Sequence, residues 1–155
     1  MPHITIEYVI LLPVLILQIF LFPLSASLLM NIWVNSRRAL ALQEVASHIG
    51  SSIQQLYFAL NHTAVTAQTV TQKVDVPPFI ENCYYVGNAT LKPLNASQLL
   101  ELTFRLIGTG TTAKASVILG PNAAWRGSTF VSNSTNACIT AEKLADGTIR
   151  LGFGG

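Results

Sequence analysis

Residues 8–36 contain no aspartate, glutamate, lysine or arginine, and this charge-free run constrains the fold more than any other feature. Charged residues return between Arg37 and Glu44, and none follows from Val45 to Gln72. A surface helix normally has a charged face, whereas a helix that is apolar or neutral all round is buried on every side. We therefore predict one helix, from about Thr5 to about Leu60, that is covered along its whole length.

The predicted helix is longer than a membrane is thick. At about 1.5 Å per residue it would be roughly 84 Å long, whereas the apolar core of a bilayer is about 30 Å thick. A membrane can cover only its first half, and a chain of 155 residues is too short to wrap the second half. We infer that copies of the same helix cover one another, so the predicted partner is the chain itself.

The composition supports a membrane or self-assembling protein and disfavours several other classes. Half of the residues are hydrophobic, 10% are charged and the mean hydropathy is +0.47, values that are apolar for a soluble protein. The net charge of +2 is not clustered, and nucleic-acid binding needs several basic residues on one face. No metalloprotease, phosphate-loop or hydrolase motif occurs. We predict no enzyme activity, no cofactor, no metal and no nucleic-acid partner.

The run from Val9 to Val34 is long enough to span a bilayer. Pro13 and Pro23 interrupt it, and each removes a backbone donor and should kink or loosen the helix. Lipid tolerates this only where neighbours satisfy the freed carbonyls, so both prolines are candidate assembly residues. Trp33 follows as a predicted interfacial anchor.

Two features near this run favour alternative interpretations. Leu24-Ser25-Ala26-Ser27 resembles the cleavage site of a secretory signal, but no lysine or arginine precedes the run, so we interpret it as retained. Arg37 and Arg38 favour a cytoplasmic C-terminal side by the positive-inside tendency, against the cysteines and glycosylation motifs described below. A basic leader, removed from a precursor, would resolve this conflict.

Glu7 stands at the edge of the apolar run and has two interpretations. With Thr5 as N-cap, its carboxylate is favourably placed against the helix dipole. Packed among other helices, the same carboxylate would need a cation, and the N-terminal amine of a neighbouring copy is the nearest candidate. In that case Glu7 would set the register between subunits.

The second half of the helix is amphipathic but uncharged. Its apolar residues recur every three or four positions, at Leu42, Val45, Ala46, Ile49, Ile53, Leu56, Tyr57 and Leu60. Ala46 and Gly50 are small and would let another backbone come close. Alternatively the stripe docks on the chain's own C-terminal domain, while the opposite, uncharged side of the helix meets other copies. That side contains Gln43, Ser47, Ser51, Gln54 and Gln55. We expect a charge at Ile53 or Ala46 to block assembly while the C-terminal domain stays folded.

Beyond residue 62 the composition changes to threonine, serine, valine, asparagine and glycine. Apolar residues alternate within residues 98–119, which predicts a hairpin. A second hairpin is predicted over residues 137–153 around the Asp146-Gly147 turn, with weaker strands at residues 65–74 and 82–86. The predicted fold is α+β, with a helical domain at 1–62 and a small antiparallel β-sandwich or β-sheet domain at 63–155, built from five or six strands.

The C-terminal half carries candidate modification sites. Four acceptor motifs for N-glycosylation occur, at Asn61, Asn88, Asn95 and Asn133. Cys83 and Cys138 lack the spacing and histidine partners of a zinc site, and in an oxidising compartment they are expected to pair as a disulfide. The alternative is two buried free thiols. These features predict an exterior, glycosylated domain.

The segment Glu7-Tyr8-Val9-Ile10-Leu11-Leu12-Pro13-Val14-Leu15, which continues as a long helix into a threonine-rich β domain, resembles the N-terminal region of type IV pilins and their archaeal relatives. It is also similar to the tight-adherence pseudopilins. The resemblance covers roughly residues 3–60. In many members a glutamate occupies the fifth mature position, where Glu7 would fall if His3 came first. The chain departs from the pattern by lacking a basic leader and by having Pro2 before that point.

The resemblance implies a precursor cleaved by a prepilin peptidase, a subunit stored in the membrane, and polymerisation by an assembly machinery into a filament with a helical core. The predicted function is a structural subunit of an extracellular filament on the cell surface. Alternatives are a minor pseudopilin of the assembly machine and a monomeric, membrane-anchored surface-binding protein. A monomer's stalk in water should carry charges, which the segment from Val45 to Gln72 lacks.

Overall fold

The structure is a computed structural model that describes the backbone of residues 3–154 and the side chains of residues 9–154. Within that range one α-helix, α1, runs from His3 to Asn61. This confirms the predicted helix to within two residues at each end. Pro13 and Pro23 lie inside α1, and the helix is continuous through both. The two prolines therefore do not break the helix into separate segments.

Eight strands follow α1 in the described residues, rather than five or six: β1 Gln68–Lys73, β2 Tyr85–Leu94, β3 Ser97–Leu106, β4 Thr112–Leu119, β5 Ala123–Trp125, β6 Thr129–Val131, β7 Cys138–Lys143 and β8 Ile149–Gly154. They form two four-stranded sheets, the first in the order β1-β7-β8-β5 and the second in the order β4-β3-β2-β6. All neighbours are antiparallel except β5 and β8. The predicted α+β fold is confirmed.

The chain divides into two compact units, an N-terminal unit that ends at Arg37 and a C-terminal unit that begins at Arg38. The boundary predicted at residue 62 marks the change from helix to strands. The packing unit begins earlier, because the part of α1 from Arg38 to Asn61 belongs to the C-terminal unit.

The hairpin predicted over residues 98–119 is present as β3 and β4. Its inward residues are apolar and buried, and Leu100 pairs with Val117 while Phe104 pairs with Ala113. The connecting turn contains Gly108 and Gly110 at φ of +93° and +72°, a region that glycine enters without steric cost. The two-residue periodicity of this segment therefore predicted both its structure and its buried face.

The second predicted hairpin is also present, as β7 and β8. Ala141 pairs with Leu151, and Gly147 adopts φ +85° in the turn. The backbone N–H of Thr148 donates to the Asp146 carboxylate at 2.9 Å, which fixes the turn locally. The sequence did not predict the three-residue strands β5 and β6, because such short strands contain too little alternation to be recognised.

The core of the C-terminal unit joins the apolar stripe of α1 to both sheets. The stripe is buried as predicted, at Leu42, Val45, Ala46, Ile49, Ile53, Leu56, Tyr57 and Leu60. Phe104 of the second sheet contacts Phe153 of the first sheet, with ring centroids 6.5 Å apart. Phe130 stands 5.4 Å from the same Phe153 ring. The aromatic cluster thus packs the two sheets against each other.

The structure corrects the assembly role predicted for Ala46, Gly50 and Ile53. Ala46 and Ile53 are fully buried in the chain's own core. A Cβ atom added at Gly50 would lie 2.9 Å from Cγ2 of Val117 in β4, so the glycine lets α1 approach the sheet of its own chain. These residues are unavailable to another copy, and the alternative of docking on the chain's own domain holds for this stripe.

Tyr85 makes the stability of this core depend on pH. Its side chain is fully buried, its hydroxyl donates to the Pro77 carbonyl at 2.8 Å, and burial raises the pKa of the phenol well above 10. The folded state therefore keeps the phenol neutral above pH 10, where an exposed phenol in the unfolded chain loses its proton. The unfolded state then binds fewer protons, so the free energy of unfolding falls as pH rises.

We expect urea unfolding of the full chain in detergent to show this loss above about pH 10, with a contribution of up to about 1.4 kcal/mol per pH unit from Tyr85. Tyr85→Phe, although less stable at pH 8 through loss of the hydrogen bond, should have a shallower slope above pH 10. Equal slopes in the two proteins would contradict this origin.

Trp125 has a buried indole nitrogen, Nε1, without a hydrogen-bond partner in the described part of the chain. Its ring packs edge to face on Phe153 at 5.0 Å between centroids. Since Trp125→Phe keeps an aromatic ring and removes the unsatisfied donor, we expect it to change the free energy of unfolding by less than about 1 kcal/mol. Trp125→Ala should cost about 3 kcal/mol. Urea unfolding of the full chain measures both, and equal losses would contradict the prediction.

Candidate functional site

The N-terminal unit presents an apolar helical surface that the described part of the chain leaves uncovered. The large hydrophobic side chains from Val9 to Trp33 are about half exposed or more, from 48% at Ile16 to 80% at Phe22. An 18-residue window of this helix reaches a mean hydropathy of 2.5, and none of that window is buried. The helix is therefore long and apolar enough to cross a membrane.

Pro13 and Pro23 each leave one carbonyl of this surface without its helical donor. The carbonyls four residues earlier belong to Val9 and Ile19. A shallow concavity of about 830 Å³ lies beside Pro23, lined by residues between Leu15 and Ser25. In a bilayer a freed carbonyl requires a donor from a neighbouring group, and Ile19 is among the residues that line this concavity.

Trp33 and Arg37 mark the end of the apolar surface. The guanidinium carbon of Arg37 lies 4.9 Å from the centroid of the Trp33 ring, within the range of a cation–π contact. Trp33 is 55% exposed. An exposed tryptophan paired with arginine at the end of an apolar helix is typical of a membrane interface. The side chain of Glu7 lies outside the described residues, so both interpretations of Glu7 stay predictions.

In the C-terminal unit, the face of α1 opposite the core is exposed and uncharged beyond Glu44. We call it the neutral face, and it consists of Ser47, His48, Ser51, Gln55, Phe58 and Ala59. Phe58 is 60% exposed on this face. Two glutamines at the margin of this face form hydrogen bonds to β4. The side-chain amide of Gln43 donates to the Lys114 carbonyl at 2.9 Å, and that of Gln54 donates to the Ile118 carbonyl at 3.3 Å.

Those two bonds close the free side of β4, which is an edge strand of the second sheet. An unpaired edge is a site of uncontrolled strand pairing, and the glutamines occupy two of its carbonyls. The neutral face lies beside these glutamines and belongs to the helix, not to the edge of the sheet. Any contact it makes with another molecule would be between side chains.

The four predicted glycosylation asparagines all lie on the surface of the C-terminal unit, at Asn61, Asn88, Asn95 and Asn133. Asn95 occupies the tight turn between β2 and β3 at φ +51°. The carbonyl oxygen of Asn61 accepts a hydrogen bond from the Asn122 amide at 3.0 Å, which leaves the Asn61 amide nitrogen to other partners. Exposure is compatible with glycans at all four positions, and their occupancy stays a prediction.

The disulfide predicted between Cys83 and Cys138 is not formed in the structure, which has both as half-buried free cysteines. Cys83 stands just before β2 of the second sheet, whereas Cys138 begins β7 of the first sheet. A bridge would have to join two different sheets and meet a narrow range of Cα separations. The structure therefore agrees with the alternative prediction, that both cysteines are free thiols.

The described residues include no group of three or more histidine, cysteine, aspartate or glutamate side chains placed to hold a metal ion. The predicted lack of enzyme activity and of cofactors rests on the sequence motifs alone and stays a prediction.

A turn that the sequence did not predict contacts α1 at the first residue of the C-terminal unit. Nε of Arg38 lies 2.7 Å from a carboxylate oxygen of Glu81. Glu81 and the following Asn82 adopt φ values of +46° and +65°, which non-glycine residues rarely do. The local signal was Pro77-Pro78 followed by asparagine, a combination typical of turns, but nothing local indicated the distant arginine.

Together the fold and these surfaces define the chain as an α+β protein with one long, apolar N-terminal helix that can cross or anchor in a membrane. No family model, curated protein or solved structure matches it.

Proposed function

We propose that this chain is the structural subunit of an extracellular type IV pilus-like filament that polymerises through α1. Before assembly the residues from Val9 to about Ser36 lie in the membrane, and after assembly the same residues lie against the helices of other copies. The C-terminal unit forms the exterior of the filament and carries glycans. The machinery that extracts the subunit from the membrane supplies the energy for its export.

The neutral face is the observation that carries this proposal. A bilayer accounts for about 30 Å of apolar helix, or roughly 20 residues. It does not account for a second helical stretch, from Val45 to Asn61, that contains no Asp, Glu, Lys or Arg and exposes Phe58 at 60%. A stalk that remained in water would gain solubility from charges on this face, whereas a helix that packs on copies of itself would be hindered by them.

The energetics agree with a two-stage pathway. Apolar area transferred from water to a neighbour contributes about 25 cal/mol per Å², which applies to the neutral face. Residues already in lipid gain much less on moving to a protein neighbour. On the neutral face this hydrophobic driving force comes from Phe58 and Ala59, because the other residues of the face are polar. The membrane-length run contributes packing and the carbonyl partners that Pro13 and Pro23 require.

The testing experiment is electron cryo-microscopy of material sheared without detergent from cells that express the chain. We expect filaments whose density follows this side-chain sequence around a core of α1 helices, with extra density at some of the four asparagines. If the chain stays in the membrane fraction and no filament contains it, the proposal fails. A membrane-anchored monomer or a minor pseudopilin would then be the better account.

A further inference from the structure

The turn formed by residues 77–84, which we call the Phe79 turn, displays an aromatic ring to the outside. Phe79 is 50% exposed and Tyr84 is 37% exposed. Elsewhere in the C-terminal unit, Phe104, Phe130 and Phe153 are buried. Apart from Phe58 on the neutral face, Phe79 is therefore the phenylalanine of this unit that the fold leaves outside its core.

The backbone on both sides of Phe79 is held firmly. The hydroxyls of the buried residues Tyr85 and Ser132 donate to the carbonyls of Pro77 and Pro78 at 2.8 and 2.7 Å. On the other side, Ile80 and Cys83 exchange two backbone hydrogen bonds of 2.9 and 3.0 Å. These bonds tie the backbone on both sides of Phe79 to the core and to the turn, so the residue keeps its place at the surface.

The turn is also held against α1. Glu81 and Asn82 keep an unfavourable left-handed backbone conformation, and the carboxylate of Glu81 forms its 2.7 Å ion pair with Arg38. Arg38 follows the charge-free run of residues 8–36 almost directly along the chain. The ion pair therefore holds the Phe79 turn at Arg38, the first residue of the C-terminal unit.

We propose that the Phe79 turn is a second membrane contact, which inserts the Phe79 ring into the interfacial layer of the bilayer while the subunit is held in the membrane. This inference rests on the membrane-held state in the proposed function. Aromatic rings are favoured at the membrane interface, and Tyr84 adds a ring with a polar end that suits the headgroup level. The pairing of Glu81 with Arg38 compensates the nearest charge, and the exposed carboxylates of Glu44 and Asp75 remain in water or among headgroups.

A lipid surface fits the Phe79 turn better than a protein partner does. Each partner in a stable protein interface buries about 800 Å², whereas an aromatic side chain offers about 150–250 Å². One ring on a rigid turn is too small to form a stable protein interface, but it is sufficient for shallow insertion into a bilayer. The contact would fix how the C-terminal unit stands on the membrane before the subunit is extracted.

The test measures quenching of tryptophan emission by phosphatidylcholine brominated on the acyl chain near the headgroup. Full-length protein is reconstituted in vesicles as three single-tryptophan variants. The first is Trp125→Phe, which keeps Trp33 as a reporter of the membrane-held state. The second carries Trp33→Phe, Trp125→Phe and Phe79→Trp. The third carries Trp33→Phe, Trp125→Phe and Phe58→Trp. Position 58 is similarly exposed and lies about 30 Å from Arg38 along the axis of α1.

We expect the tryptophan at position 79 to lose a fraction of its emission comparable to that lost by Trp33, while the tryptophan at position 58 keeps its emission. Full emission at position 79 together with quenching of Trp33 would overturn the inference and leave the membrane-held state intact. Equal quenching at positions 58 and 79 would also overturn it, since the contact would then not be local to the turn. Full emission from Trp33 would overturn the membrane-held state itself and the inference with it.

Discussion

Ile53→Asp is expected to unfold the C-terminal unit rather than to interfere only with assembly. Ile53 is fully buried between α1 and the sheets. Removing a buried isoleucine side chain costs about 2–5 kcal/mol, and an unpaired buried carboxylate adds several more. Their sum, more than about 5 kcal/mol, approaches the whole stability of a typical domain, about 5–15 kcal/mol. The substitution should therefore abolish cooperative urea unfolding of the full chain in detergent.

The matched control for Ile53→Asp is Gln55→Asp, which places the same carboxylate two residues further along on the exposed side of α1. Its effect on the free energy of unfolding should stay within about 0.5 kcal/mol. Limited proteolysis of both variants provides an independent measurement. A folded, protease-resistant Ile53→Asp protein would show that the stripe is not packed on the chain's own sheets.

Phe58→Asp is expected to abolish filament assembly while the C-terminal unit stays folded. Phe58 is 60% exposed on the neutral face, so the fold loses little when its ring is removed. Between packed copies the new carboxylate would lie in an apolar contact without a cation, which costs several kcal/mol. That penalty would recur at every subunit of a polymer. The amount of chain in the sheared filament fraction measures the effect.

The control for Phe58→Asp is Thr112→Asp, which places the same charge at an exposed position of β4 that is not part of the neutral face. It should assemble normally, and both variants should unfold in urea at a concentration close to that of the unsubstituted chain. Normal filaments from Phe58→Asp would remove the neutral face from the proposed assembly surface. An unfolded Phe58→Asp protein would contradict the exposed position of this side chain.

Local patterns in the sequence predicted most of the secondary structure. The three-and-four spacing from Leu42 to Leu60 predicted both the second half of α1 and its buried stripe, because helical periodicity and burial have the same cause. The alternation in residues 98–119 predicted β3 and β4 in the same way. Strands β5 and β6 were missed, since three residues contain no measurable period and their pairing depends on strands far away in the chain.

The candidate site was predicted less completely. The lack of charges in the run from Val9 to Trp33 predicted a helix that is covered on every side. Within the described chain its large side chains are exposed, so their cover by a membrane or by other copies stays a prediction. The close approach predicted at Gly50 exists, but the partner is β4 of the same chain, and Ala46 is buried in the same chain's core. A small residue shows that a backbone comes near, yet it does not identify which backbone. For Cys83 and Cys138 the residue types and the compartment suggested a pair, whereas the structure has both as free thiols.

The sequence by itself therefore determined the long helix, its uncharged surface and the α+β class, because these depend on residue spacing and on the solvation of each side chain. Only the tertiary structure decided that the stripe containing Ile53 packs on the chain's own sheets, while Phe58 stays outside. It alone also joined Arg38 to Glu81, residues 43 positions apart, and so placed the Phe79 turn beside the helix. Such contacts follow from how the sheets close around the helix, which no local pattern encodes.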